Sequence, residues 1–150
     1  MEFRPYTQDD YNDCIQIFKS NSDTFFTIDE LEEFNKFLIV PELIETYYVL
    51  IHEGQIAACG GFAKFDQEIT LTWGMVLREL HKQGLGKALT LYRLEKINEV
   101  FLGEPIRLET SQHTYGFYEG RGFEVVAVEK DGFEPGLDKY VLVLGAKQND

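Results

Sequence analysis

A chain of 150 residues with 44% hydrophobic content and formal charge −12 is long enough to bury roughly two-thirds of its unfolded surface in one domain. Its twelve Phe and eight Tyr exclude a disordered chain, and no apolar run reaches the ~20 residues that a membrane span needs. With 14 basic residues against 26 acidic ones, nucleic acid is excluded as the expected partner, because a phosphate backbone needs a basic face.

The opening MEFRPYTQDD has no charged segment followed by an apolar one, so a cytoplasmic protein is expected. Cys14 and Cys59 are too few and too far apart for a disulfide framework or a zinc site; both read as small core residues, and no metal is expected. The acidic balance suits a cationic substrate and equally suits simple solubility.

In chain order, Phe3 to Tyr6 reads as a short opening strand. Thr7 with Asp10 resembles a capping box, and Tyr11, Cys14, Ile15 and Phe18 then recur at helical spacing. Thr27 and Glu30 repeat the signal before Leu31, Phe34 and Leu38, predicting a second helix that ends near Pro41. The period then shortens. YYVLIH (47–52), a Glu53-Gly54 turn and IAACGGFA (56–63) predict a hairpin, with EITLTWGMV (68–76) as a third strand. A helix follows with Ala88, Leu89, Tyr92, Ile97 and Phe101 as its apolar residues, stopped by Gly103 and Pro105. IRLET (106–110), TYGFYEGR (114–121), FEVVAVE (123–129) and KYVLVL (139–144) predict strand, short helix, strand and strand. No repeat or Pro/Ser-rich linker interrupts this order, so one domain over 1–150 is expected. Hairpins followed by strand–helix–strand units predict an α/β fold built on a mixed sheet.

Between the third strand and the long helix stands HKQGLGKAL (81–89). The first N–H groups of a helix have no partner within it, and the helix dipole adds about half a positive charge there. Gly84 and Gly86 would let an anion reach the backbone, and Lys82 and Lys87 add charge. A P-loop would need Ser or Thr at Ala88 and Gly at position 81; a dinucleotide fingerprint would need Gly or Ala at Leu89. A plain helix-opening turn and a pyrophosphate loop for acyl-CoA both remain open on these residues alone.

The surrounding residues narrow the choice. Val76 through Leu89 resembles the signature segment of the GNAT superfamily of N-acetyltransferases, a strand leading into [QR]-x-x-G-x-[GA] at the start of the central helix. Phe117-Tyr118-Glu119-Gly120-Arg121-Gly122-Phe123 is similar to the family's second mark, [LF]-Y-x-x-x-G-F. The element order agrees along nearly the whole chain. The chain departs from the pattern at His81, where Arg or Gln is usual, and at Arg78, where Pro is common. Ser111-Gln112-His113 stands where an Asn is often found.

The resemblance implies a GNAT acyl-CoA N-acyltransferase fold, with a splayed central sheet and helices on both faces. It implies acetyl-CoA as cosubstrate, with Met75, Val76 and Leu77 pairing with the pantetheine arm as an added strand would. The amides of Gln83, Gly84, Leu85, Gly86, Lys87 and Ala88 would then receive the pyrophosphate, with Lys82 and Lys87 adding charge and His81 able to donate a hydrogen bond. It implies direct transfer to the amine of a small molecule or peptide, and a possible homodimer through the last strands. Tyr118 matches the family's general acid toward the CoA sulfur; a phenol ordinarily titrates near 10 and so still holds its proton at neutral pH. A core tyrosine bonded to a carbonyl is the plainer alternative, while Phe123 reads as packing and Gly122 as a helix stop.

No carboxylate lies inside ITLTWGMV, so the general base is open among Glu68, Glu109, His52, His113 and water, with water favoured. The acceptor is expected at 20–30 and at the loop 130–139, where Phe25, Phe26 and Phe133 could form an apolar wall. Asp23, Asp131, Glu134 and Asp138 could attract a cationic amine there. Two rivals stand beside the enzyme: a GNAT-fold protein that binds acyl-CoA without turnover, and a relative using a larger acyl group.

Overall fold

The computed structural model describes residues 1–21 and 28–145. In chain order these form β1 (Glu2–Pro5), α1 (Tyr11–Asn21), α2 (Ile28–Phe37), α3 (Pro41–Ile44), β2 (Tyr47–His52), β3 (Gln55–Phe65), β4 (Glu68–Val76), α4 (Leu85–Val100), β5 (Ile106–Thr110), α5 (Tyr115–Glu119), β6 (Glu124–Glu134) and β7 (Leu137–Leu144). Single 3₁₀ turns precede α1 at Gln8–Asp10 and follow β4 at Arg78–Leu80. Among the described residues, seven strands make a mixed sheet in the order β1-β2-β3-β4-β5-β7-β6. The β1–β2, β2–β3, β5–β7 and β6–β7 pairs are antiparallel, and β4–β5 is parallel with Ile69 opposite Ile106. The α/β class is the one the sequence predicts. The chain forms two compact units: Met1–Ala63 with Leu71–Val100, and Lys64–Thr70 with the residues from Phe101 onward.

In the first unit the strand period of two sorts side chains between two cores. Val49 pairs with Cys59, and Tyr47, Val49, Cys59 and Met75 pack against Cys14, Ile17 and Phe18 of α1 and Phe34 and Phe37 of α2. The next residues along, Leu50 paired with Ala58, face the other way and pack with Ala57 against Leu85 and Leu89 of α4. Phe18 and Phe34 are fully buried, each contributing about 1.5–3 kcal/mol by area. Cys14 and Cys59 lie in the first core as free thiols; contact with Cys59, then burial, pushes the Cys14 thiol up.

Two features differ from the sequence reading. The second helix ends at Phe37, and Pro41 opens the separate short α3 at its first turn, where a missing N–H costs nothing. Asp10 does accept the Thr7 N–H at 2.9 Å, as the cap signal predicts, but it also accepts both Nη groups of Arg4 at 2.8 Å. This bidentate pair ties β1 to the start of α1, and it was not legible because Arg4 belongs to a different element. The Thr27 cap lies outside the described residues.

In the second unit β7 lies between β5 and β6, so Leu142 is opposite both Leu108 and Val125. The predicted loop 130–139 is nearly all strand. β6 runs to Glu134 and β7 begins at Leu137, leaving Pro135 and Gly136 as the turn, with Gly136 at φ +84°. Asp131 accepts the Gly136 N–H at 2.7 Å and Asp138 accepts the Asp131 N–H at 2.9 Å. These two carboxylates therefore shape the hairpin, which sequence spacing alone did not distinguish from a loop.

Two stability outcomes follow. A Cβ on Gly61 would lie 2.1 Å from the Thr46 carbonyl oxygen and 2.8 Å from the Tyr47 Cα, both backbone. Gly61→Ala should therefore cost about 1–3 kcal/mol or more in urea unfolding; an unchanged midpoint would show that β2 and β3 part easily here. The Arg4 guanidinium holds the buried Asp10 carboxyl below the usual carboxylate range, outweighing the opposing effect of burial. That stabilisation is complete above pH about 4, where Asp10 is ionised even in the unfolded chain, and is lost as pH falls through the lower native value. Asp10→Asn should cost about 2 kcal/mol at pH 7. The deficit should shrink as the solution is acidified, and a constant deficit across pH would contradict the ion pair.

Candidate active site

The end of β4 is held from three directions within the first unit. The Leu77 N–H donates to the Ala57 carbonyl on β3 at 2.8 Å. In a trans peptide the carbonyl points opposite to the N–H, so the Val76 C=O of that same peptide faces away from β3. It accepts Asn21 Nδ2 at 3.0 Å and His81 Nε2 at 2.9 Å. A carbonyl can only accept, so His81 carries its proton on Nε2. Asn21 is 3% exposed and also donates to the Ile17 carbonyl at 2.9 Å. Next to it, Ser20 Oγ accepts the Arg78 N–H at 3.1 Å. Sequence reading missed both α1 residues, since nothing local marks a helix end as the clamp of a distant strand.

Beyond that clamp the chain passes through Lys82 at φ +68° and Gly84 at φ +83° into α4. The first helical hydrogen bond runs from the Ala88 N–H to the Gly84 carbonyl at 3.0 Å, so the N–H groups of Leu85 and Gly86 precede the ladder. A Cβ on Gly84 would meet nothing within 4 Å, and one on Gly86 would meet only Val76 Cγ2 at 3.7 Å. The backbone is open on that side. Lys82, Gln83 and Lys87 are exposed, whereas Leu85 and Leu89 are buried against Leu50, Ala57 and Ala58 and anchor the helix start. The N–H groups of Leu85 and Gly86 thus stand ahead of the ladder on a backbone that the glycines leave open, an arrangement suited to an anion.

Met75 is 4% exposed and belongs to the first core, so only its backbone can meet a ligand. Upstream, β4 is irregular: Trp73 has φ +37°, a conformation that bulky residues rarely adopt. Tyr47 Oη donates to the Trp73 carbonyl at 2.8 Å, and burial raises the Tyr47 hydroxyl well above its ordinary value. Behind the next residue lies the buried Arg93 of α4; a Cβ on Gly74 would come within 2.8 Å of both its Nη atoms. Neither Tyr47 nor Arg93 was singled out by sequence, where both read as ordinary element residues.

In the second unit Tyr118 lies half-buried on α5, edge-to-face with Phe117 and Phe123 at centroid distances of 5.3 and 5.7 Å. Its carbonyl accepts the N–H groups of Arg121 at 2.9 Å and Phe123 at 3.1 Å, closing the helix before Gly122 at φ +96°. Among the described residues its hydroxyl makes no hydrogen bond. Phe123 is 3% exposed.

Three of the base candidates are surface groups and His52 is half-buried. Glu68 and His113 are exposed, Glu109 is exposed 3.9 Å from Lys139 Nζ, and His52 Nε2 lies 3.9 Å from Glu53. Of the expected acceptor residues, Phe133 is 44% exposed and Glu134 is exposed, while Asp23, Phe25 and Phe26 lie outside the described residues. Among the described residues no cluster of His, Cys, Asp or Glu could hold a metal ion, and no helix is long and apolar enough to cross a membrane.

The loop and the sheet define an acyl-CoA transferase architecture. Comparison with known proteins agrees. The family model of the GNAT acetyltransferase domain matches residues 44–125, more than half of the chain. The chain belongs to the GNAT acetyltransferase family and is by class an N-acetyltransferase. No curated protein sequence matches it significantly. Among solved structures, it is similar to the ribosomal-protein-alanine N-acetyltransferase from Brucella melitensis, with TM-score 0.78 and 17% identity over 95% of this chain and 98% of that one. A ribosomal-protein alanine N-acetyltransferase from Escherichia coli matches with TM-score 0.75 and 18% identity over 99% and 97%. An aminoglycoside 6′-N-acetyltransferase complexed with coenzyme A matches with TM-score 0.71 and 15% identity over 95% and 96%. At these identities the structures share the fold.

Proposed function

We propose that this protein moves an acetyl group from acetyl-CoA to a primary amine of a small molecule or peptide by direct transfer, in the cytoplasm. The observation that carries the reading is the start of α4, with open backbone at Gly84 and Gly86 and the N–H groups of Leu85 and Gly86 ahead of the helical ladder. Family membership and a structural neighbour solved with coenzyme A support the choice of cosubstrate.

Acetyl-CoA supplies an activated thioester, whose C–S bond breaks as the amine nitrogen forms the C–N bond. On this reading the α4 amides, with Lys82, Gln83 and Lys87 beside them, hold the pyrophosphate. The backbone of Met75, Val76 and Leu77 lines the pantetheine arm. Tyr118 gives its phenolic proton to the departing sulfur and regains one from solvent. A half-buried phenol whose hydroxyl has no partner among the described residues supports that role over a packing one. The amine must lose a proton before it attacks. Because Glu68, Glu109 and His113 are exposed, water is the favoured acceptor. The charge of −12 suits a cationic amine and equally suits solubility.

Calorimetry with acetyl-CoA tests the loop. The native chain should bind, and Gly86→Glu, which places an anion where the pyrophosphate belongs, should weaken binding by about a hundredfold or more while remaining folded. A folded native chain that does not bind would overturn the reading. With an active amine found by CoA release, Tyr118→Phe should lower kcat by about 10²-fold without changing the acetyl-CoA Kd. Binding without release for any amine would favour the non-catalytic rival, and an unchanged kcat would remove Tyr118 from the mechanism.

A further inference from the structure

The Val76 carbonyl holds two donors of different character. Asn21 is 3% exposed, and its Nδ2 also bonds the Ile17 carbonyl, so it is a fixed tie within the core. His81 is half-exposed, sits just after the 3₁₀ turn Arg78–Leu80, and reaches back five residues to the same oxygen at 2.9 Å. A carbonyl oxygen has two lone pairs, so these two bonds fill it. The peptide geometry sends this oxygen away from β3, because the N–H of the same peptide is bonded to Ala57. That is the direction from which a ligand would add to β4 as a strand does, with its amide N–H seeking a backbone carbonyl.

We propose that His81 occupies the hydrogen-bond position on Val76 that an amide of the pantetheine arm takes in the complex, so that the arm binds by displacing the imidazole. The inference rests on the acetyl-CoA reading above and deepens it. One N–H replaces another on the same oxygen, while Asn21 keeps its own bond and holds the strand end in place. The released imidazole moves into solvent. His81 thereby sets affinity for the arm without contributing to the hold on the pyrophosphate, which belongs to the α4 amides.

The test compares two probes on the full chain: CoA, and adenosine 3′-phosphate 5′-diphosphate, which has the pyrophosphate but no pantetheine. His81→Ala should bind CoA about three- to tenfold more tightly, the worth of a hydrogen bond no longer exchanged, with the short probe unchanged. His81→Gln, which keeps an N–H donor, should bind CoA as the native chain does. This variant also guards against loss of loop structure in His81→Ala. In ¹⁵N-histidine spectra of the native chain, the His81 Nε2 signal should move with CoA well beyond its shift with the short probe. Weaker binding of both probes to His81→Ala would make His81 a phosphate ligand and overturn the proposal. CoA affinity unchanged in His81→Ala would overturn it as well. A native chain that binds neither probe would overturn it through failure of the acetyl-CoA reading itself, an outcome distinct from failure at His81.

Discussion

The peptide joining Val76 to Leu77 is the constraint on which the first unit's functional features depend. Its N–H is committed to β3 through Ala57, and its C=O to α1 and the following turn through Asn21 and His81. A strand end with both its polar groups satisfied from within the chain cannot drift. The next residues therefore leave it in a defined direction, toward the glycine turn and α4. Part-buried hydrogen bonds of this kind matter more for the position they impose than for their individual energies, about 1 kcal/mol each.

The loop that follows separates anchoring from recognition. Leu85 and Leu89 are inserted between Leu50, Ala57 and Ala58 and hold the helix start by apolar burial. Gly84 and Gly86, on either side of Leu85, leave the backbone bare to solvent. A binding surface made of amides needs this arrangement, because the groups that bind the anion carry no side chain to fix them. In a chain of net charge −12, an anion proposed to bind there would be attracted locally, by helix-end N–H groups, while salt screens the distant acids.

Much of the fold was legible because its signals are local. The strands 47–52, 68–76 and 106–110 have the bounds that apolar runs and turn residues predict, and α4 opens inside the glycine motif. The misjudged elements are those in which long-range pairing decides. Residues 130–134 and 137–139 carry the Asp, Gly and Lys typical of a loop, yet they are strand because β7 is paired on both sides and carries β6 with it. Pro41 read as the end of one helix and is the start of another, since proline is compatible with either place.

At the site the same division holds. Sequence by itself determined the class of the protein and the candidacy of the loop at 83–88 and of Tyr118, because the segments Val76–Leu89 and Phe117–Phe123 that resemble the family's two marks are each contiguous. Only the tertiary structure decided that Arg4 pairs with Asp10, that Asn21 and His81 share the Val76 oxygen, that Tyr47 supports the irregular β4 at Trp73, and that Arg93 lies behind Gly74. The Asn21, Tyr47 and Arg93 contacts join residues tens of positions apart. The Arg4 and His81 contacts span a turn whose path is set by packing. In each case the partner is chosen by which elements the cores bring together, and no local propensity encodes that.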